Sequence, residues 1–474
     1  MASRRLRDVH PRRAIVLLAL AAGALRLAFL GIPLSSDEGG YLVAASQWSA
    51  GTSTYGDHFV DRPPLLMAVF ALADALGGTW PLRVIGVLVV GVSVLLAGRL
   101  GGVAAAATAA VLLSMPLFDP LPVNGELLSV PFVLAGILAL VHAERAASRG
   151  RRYWATAWAT ALAGLLAACA FLVKQNVVDV GVVAAALLLA QARRGGWRDA
   201  GVRVAVFACA ALVTLALAVW GASLRGTSPS DLWDAVVLFR MDAASWLRAL
   251  GDPSADYRRM VLLLVLLASA VPLVVAACLR EARRTRPTPY LVPAALALLC
   301  WEVLGFLVGG GYWRHYLIAL VPGVVLLVAS VRANRVLWVG LALATLSAVI
   351  QLPLVPLHPP RDVVDAEVVA FLREHSDPGD TLVVGFGHAN ILRSSGLESP
   401  YEHLWVLPTQ VRDTDLAELT SVLAGDEAPR WLVVDGDSLD DKGLEHDAAQ
   451  AVLEERYTPV AQVVRWRIFE LTDD

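Results

Sequence analysis

The chain has 474 residues, 57% of them hydrophobic and 17% charged, with a mean hydropathy of +0.61. A soluble protein of this size carries about 25% charged residues, so the composition excludes an ordinary soluble enzyme and points to repeated bilayer crossings. The net charge of −3 hides a division: from position 358 onward 24 acids face 9 basic residues, leaving the remainder net positive.

Taken in chain order, apolar runs predict membrane spans at 14–31, 81–99, 102–118, 127–143, 153–172, 176–191, 203–221, 260–279, 289–308, 315–330 and 336–353. Each is near the ~20 residues that cover a hydrocarbon core. The run 65–77, LLMAVFALADALG, has only 13 residues and suits a helix lying at the interface. The basic N-terminus (Arg4, Arg5, Arg7, Arg12, Arg13) resembles a signal peptide, but its apolar run is long, contains Arg26 and lacks a clear small-residue cleavage site. Retention as an anchor is therefore expected.

Basic clusters at 144–152, 191–203, 279–287 and 331–335 fall on the side of the N-terminus if 65–77 does not cross, as cytoplasmic loops should. The expectation is a multi-pass plasma-membrane protein of eleven spans, N-terminus inside. Residues 1–357 would be the transmembrane domain, with a first outer loop at 32–80, and 358–474 a soluble extracytoplasmic domain. In that tail, DTLVVGFG and RWLVVDGD read as short buried strands, and DVVDAEVVAFLREH and HDAAQAVLEER as helices, so a small α/β domain is predicted. GFGHAN is a lone glycine turn and no nucleotide fingerprint. Cys169, Cys209, Cys278 and Cys300 all lie in apolar runs and read as small buried hydrophobes, with no disulfide or zinc pattern.

With this orientation the outer loops hold Asp37, Glu38, Asp57, His58, Asp61 and Arg62, then Glu126, then Lys174, then Arg225, Arg240, Arg248, Arg258 and Arg259, then Arg314, His315 and Tyr316. Charges at the ends of apolar helices cost free energy unless they pair or line a wet cavity, so function is the default reading. Lys174 stands out because the chain has 37 arginines and only two lysines. A compact ammonium suits a phosphate where an arginine fork does not fit; the bland reading is a snorkelling helix end.

The stretch SSDEGGYLVAASQW…DHFVDRPPLLMAVF resembles the first outer loop of GT-C membrane glycosyltransferases, of the protein O-mannosyltransferase and aminoarabinose transferase type (glycosyltransferase family 39). The best match covers 35–66; a looser one runs through Glu126, FLVKQN and GYWRHYLIALVP to about residue 330. The resemblance implies a GT-C-like membrane fold and transfer of a sugar from a polyprenyl-phosphate donor, in the membrane lipid, to a glycan, protein or lipid acceptor. It implies Asp37 as general base, with Glu38, Asp61 and Glu126 as further catalytic acids. Arg62, Lys174, Arg240, His315 and Tyr316 would meet the donor phosphate. Two departures are Gly39-Gly40-Tyr41, where relatives continue with bulkier charged residues, and Arg62, where lysine is common.

The chemistry fits these residue types. A sugar leaving a polyprenyl phosphate leaves charge on that phosphate, which cations stabilise, and a carboxylate can take the acceptor's proton. A single displacement inverts the sugar's configuration. No cofactor is certain; a divalent metal cation on Asp37, Asp61 and Glu126 is compatible with their hard oxygen donors. No nucleic-acid partner is expected. The alternatives are a transporter with an acidic and basic path, which would place such groups near the midplane of broken helices, and a scaffold with a partner-binding tail. Reporter fusions at Ser148 and Ser394 should register opposite sides of the membrane; the same side for both would remove the shared outer face.

Overall fold

The computed structural model describes residues 2–28, 30–148, 153–251, 254–285, 290–309, 311–354, 362–436, 438–439 and 444–472. The expected domain boundary at 357/358 lies outside them. The chain opens with α1 (Ala2–Leu27), α2 (Ser36–Gln47), α3 (Pro64–Ala75), α4 (Thr79–Leu113), α5 (Gly125–Ser148), α6 (Tyr153–Val173), α7 (Asp179–Ala192) and α8 (Trp197–Ser223). There follow α9 (Pro229–Trp233), α10 (Phe239–Leu250), α11 (Ala255–Ala268), α12 (Val271–Thr285) and α13 (Leu291–Val308). A 3₁₀ turn (Arg314–Leu320) leads into α14 (Val321–Ala329), and α15 (Arg335–Gln351) completes the apolar part.

Among the described residues, five helices are long and apolar enough to cross a membrane, or six if the bent pair α11 and α12 counts as one crossing. The protein is thus a multi-pass helical membrane protein, but its apolar runs differ from eleven straight spans in identifiable ways. Helices such as the 14-residue α7 rise about 21 Å at 1.5 Å per residue, short of a hydrocarbon core of about 30 Å. The expected span at 260–279 is broken by a 57° bend between α11 and α12. Pro272 explains the place: it carries no N–H for the turn before it and disfavours helical backbone at Val271. The expected spans at 81–99 and 102–118 correspond to two helices that meet at a break at Gly101 and Gly102, where Gly102 takes φ +72°. Gly101 lies against Ala329 of α14, with no room for a side chain. α8 is apolar along most of its length and has few buried residues, as expected of a helix with a face to lipid.

The C-terminal part folds around a four-stranded sheet in the order β1-β2-β4-β3. Its strands are β1 (Leu382–Val384), β2 (Trp431–Asp435), β3 (Tyr457–Val463) and β4 (Trp466–Leu471), and its helices α16 (Asp362–His375), α17 (Ala389–Ser395), α18 (Val406–Arg412), α19 (Ala417–Ala424) and α20 (Asp447–Arg456). β1 and β2 are parallel, with Val383 opposite Leu432; β4 runs antiparallel to β2 and β3. Alternate residues serve opposite faces. Val383, Leu432, Val434 and Phe469 pack with Leu419, Leu423 and Leu453, and Leu382, Val433, Trp466 and Ile468 pack with Val368, Leu372 and Ile391. A sheet covered on both faces accounts for the uninterrupted apolar run WLVV.

Val43 of α2 belongs to this second core. The helix after the first apolar segment is therefore shared between the membrane part and the sheet domain. Its close contact with α17 depends on Gly39, where a Cβ would stand 2.4 Å from Asn390 Cα. Backbone cannot move aside as a side-chain tip can, so Gly39→Ala should displace α17. Hydrogen–deuterium exchange should rise several-fold in 389–395 and stay unchanged in α6; unchanged exchange in both would refute the close docking.

Candidate active site

Ser35 and Glu38 form a reciprocal cap at the start of α2: the Glu38 N–H donates to Ser35 Oγ at 3.3 Å, and the Ser35 N–H donates to Glu38 Oε2 at 2.9 Å. The other Glu38 oxygen accepts from the Val123 N–H at 2.7 Å and pairs with Arg83, whose guanidinium also reaches the Pro33 carbonyl at 3.0 Å. Glu38 is fully buried. Both Glu38 oxygens are thus engaged with the framework. Asp37, one residue earlier, is half-buried, and its Oδ1 accepts a hydrogen bond from the Trp405 indole N–H at 3.1 Å.

Beyond Asp37 the polar residues form two charge groups. Asp61 receives Arg62 on one carboxylate oxygen and Arg240 on the other. Its backbone carbonyl accepts from Gln175 Nε2 at 3.0 Å, and the next carbonyl, of Arg62, accepts from the Tyr55 hydroxyl at 3.0 Å. Pro63 and Pro64 follow and start α3, since proline is tolerated in a first helical turn. The Arg62 guanidinium lies over the Tyr41 ring, 5.6 Å from its centroid.

The second group is built on Glu126 in the first turn of α5, which pairs with Lys174 and has His315 Nε2 at 3.8 Å. The Lys174 ammonium sits 4.8 Å from the centre of the Tyr316 ring, which meets His315 edge-on at 5.0 Å. Gly125 leaves room for the Lys174 stem, which would lie 3.2 Å from a Cβ there. The two groups share one field: Arg62 is influenced by Asp61, Tyr41, Asp37 and Tyr316, and Tyr316 by Glu126, Arg62, Asp37 and Asp61. Asp37, Asp61, Arg62, Glu126, Lys174, Arg240, His315 and Tyr316, drawn from six segments, are brought together, and Glu38 stands behind them. Arg225 lies instead over Trp48, 4.5 Å from its ring centre.

The acidic trio does not fit a metal. Asp61 and Glu126 already hold cationic side chains. Among the described residues, the set of three donors lying within 4.8 Å of one another is Glu402, His403 and Glu418, and Asp37, Asp61 and Glu126 form no such set.

Several residues at the site came from a part of the chain with no recognisable motif. Besides Trp405, the His388 N–H donates to Ser36 Oγ at 3.0 Å. His388 is held in turn by Asp365, which accepts from His388 Nδ1 and Asn390 Nδ2 at 2.8 Å and from Trp466 Nε1 at 2.9 Å. Burial pushes the Asp365 carboxyl up, but these hydrogen bonds outweigh it and hold the group below its ordinary value. Arg393 pairs with Asp74 of α3, and Arg412 with Asp234 at 2.8 Å. The signal in the sequence was the glycine pair. A Cβ on Gly40 would stand 2.3 Å from the Trp405 ring, so the departure at Gly39-Gly40 marks the docking of the C-terminal domain.

No protein-family model matches the sequence, and no curated protein matches it either. Solved structures do. ArnT from Cupriavidus metallidurans bound to undecaprenyl phosphate aligns with a TM-score of 0.61 at 14% identity, over 96% of this chain and 97% of that one. The chain shares its fold with that structure over nearly its whole length. The Archaeoglobus fulgidus oligosaccharyltransferase AglB, with an inhibitory peptide and a dolichol-phosphate, aligns with a TM-score of 0.55 at 13% identity, over 90% of this chain and 70% of AglB. A structure of the same enzyme with Zn and sulfate gives 0.54 at 12% identity, over 89% and 68%. Identities this low carry the fold alone, and the chemistry rests on the side chains.

The Glu38–Arg83 pair yields a stability prediction. Arg83→Met leaves a buried carboxylate without its cation, which costs about 3–5 kcal/mol. Arg62→Met, at a half-buried pair whose acid keeps Arg240, should cost much less. Thermal unfolding in detergent should show the large drop for Arg83→Met alone; equal shifts would refute the framework role of Glu38.

Proposed function

We propose that the protein transfers a sugar from a polyprenyl-phosphate donor to an acceptor hydroxyl, with inversion, at the extracytoplasmic face of the membrane. The reading rests on one observation: the half-buried Asp37 carboxylate, held by the Trp405 indole, shares its field with Arg62 and Tyr316 of the two charge groups within a GT-C-like fold. Asp37 accepts the acceptor's proton as its oxygen forms a bond to the anomeric carbon. The bond from that carbon to the phosphate oxygen breaks, and its electron pair stays on the lipid phosphate. Lys174, Arg62, Arg240 and His315 stabilise the charge that grows there.

Asp61 and Glu126 are orienting acids in this reading. Asp61 holds two arginines in place, and Glu126 aims Lys174 and His315. Fixed donors act most strongly where charge develops during the reaction, because no reorganisation is needed at that moment. Glu38 contributes by fixing α2, and thus the position of Asp37. The outward placement of these residues follows from the basic clusters expected on the cytoplasmic side. The acceptor is a hydroxyl on a glycan, protein or lipid.

The test is incubation of the purified protein with polyprenyl-phosphate sugars, scoring release of lipid phosphate. Asp37→Asn keeps the shape but cannot take a proton, so turnover should fall by roughly 10²–10⁴-fold with donor binding nearly unchanged. Activity within a few-fold of the parent would move the base elsewhere.

Lys174 is best tested by Lys174→Arg, because Lys174→Ala alone would leave Glu126 buried and unpaired. Arginine keeps the charge and replaces the point ammonium with a planar fork. A lower kcat and a raised donor KM are expected. The double variant Lys174→Ala/Glu126→Gln removes both charges and should lose activity while keeping its thermal stability. Unchanged kinetics in both would take the lysine out of the site.

A further inference from the structure

Glu402 and His403 lie in the segment between α17 and α18, three and two residues before Trp405, and Glu418 lies in the first turn of α19. A carboxylate oxygen of each glutamate and a ring nitrogen of His403 all lie within 4.8 Å of one another. His403 is the informative member. Its side chain is 3% exposed, and Nε2 faces Glu418 Oε2 at 3.4 Å. Neither ring nitrogen has a hydrogen-bond partner. Burying an imidazole without partners is costly. His403 is thus a buried imidazole without a hydrogen bond, set beside two carboxylates.

The surroundings hold this group stiffly. The Glu418 N–H donates to Asp413 Oδ1 at 2.9 Å, and Asp413 Oδ2 accepts from the Tyr401 hydroxyl at 2.8 Å and from the Leu419 N–H at 3.1 Å. The His403 ring packs edge-on against Tyr401 at 5.4 Å and Phe59 at 6.3 Å. The Glu402 carbonyl accepts from the Phe59 N–H at 3.1 Å, tying the group to the first outer loop. Such second-layer bonds are what orient ligands around a bound ion.

The geometry points to a divalent transition-metal site formed by Glu402, His403 and Glu418, with zinc or manganese as the class of ion. One imidazole nitrogen and two carboxylate oxygens suit these cations. With bonds of about 2.0–2.1 Å, tetrahedral donors stand roughly 3.3 Å apart. The half-exposed Glu418 can close that distance by rotation, leaving a fourth position to water. The ion would link α19, the segment before Trp405 and the first outer loop, and so pin the C-terminal domain where it meets α2. Nothing in this inference requires the transferase reading.

The test uses untagged full-length protein in lipid nanodiscs, stripped with a chelator and titrated with Zn²⁺ alone. Bound metal is measured after desalting by mass spectrometry, and Co²⁺ provides an absorbance signature of coordination. One zinc ion per chain is expected. Glu418→Gln should weaken binding at least tenfold and abolish the Co²⁺ spectrum. Because Glu418 is partly exposed, this variant should melt in chelator at the temperature of the stripped parent. His403→Gln should lose the ion as well. If parent and Glu418→Gln bind zinc equally, or the parent retains none, the group is a histidine–glutamate ion pair and the proposal fails.

Discussion

The buried carboxylate of Glu38 is the point on which the rest of the arrangement depends. It caps α2, takes the Val123 N–H from the approach to α5 and pairs with Arg83 of α4. Three separate segments are thereby fixed around one charge. A buried carboxylate must be fully partnered or it destabilises the fold, so none of these elements can shift without leaving a charge unmatched. Asp37 inherits its position from this arrangement, being one residue upstream on a helix that cannot rotate. The half-buried side chain of Asp37 and the fully buried one that holds the frame are neighbours in different environments.

The charge groups around Asp61 and Glu126 extend the same logic toward the membrane. Each acid is nearly buried and each is balanced by bases from elsewhere in the chain: Arg62 and Arg240 for one, Lys174 and His315 for the other. The balance leaves cations aimed and partly exposed, able to face an anionic group without first shedding disorder. It also explains why the three acids do not form a metal site, since each of the two buried ones already has its counter-ion.

Much of this was legible in the sequence because it is local. The apolar runs, the short helix after the double proline and the first two strands follow from length and periodicity. The polar residues of the outer loops could be collected because charges beside apolar helices are rare. Two things were not legible. Pro272 marks the break between α11 and α12, but a proline is also tolerated inside apolar membrane helices, and the short length of α7 leaves no mark in its apolar run. The role of Glu38 could not be separated from that of Asp37, because adjacent acids look alike until Arg83 and Val123 are seen on one of them. The hairpin of β3 and β4 lacks a tight-turn signature and mixes exposed with buried positions, so its pattern is weak.

The close approach at Gly39 and Gly40 bears on how the molecule is made. A helix from the beginning of the chain rests without side chains against Asn390 and Trp405, near its end. During synthesis, α2 emerges long before its partner does and has no bulk of its own to fill the space. The surroundings of Asp37 therefore remain unfinished until the last quarter of the polypeptide has been threaded and folded. A chain that stalls before that point carries all of its apolar helices yet lacks the indole that meets the acid. In such a protein the indole reaches the acid only after the C-terminal sheet region has been made.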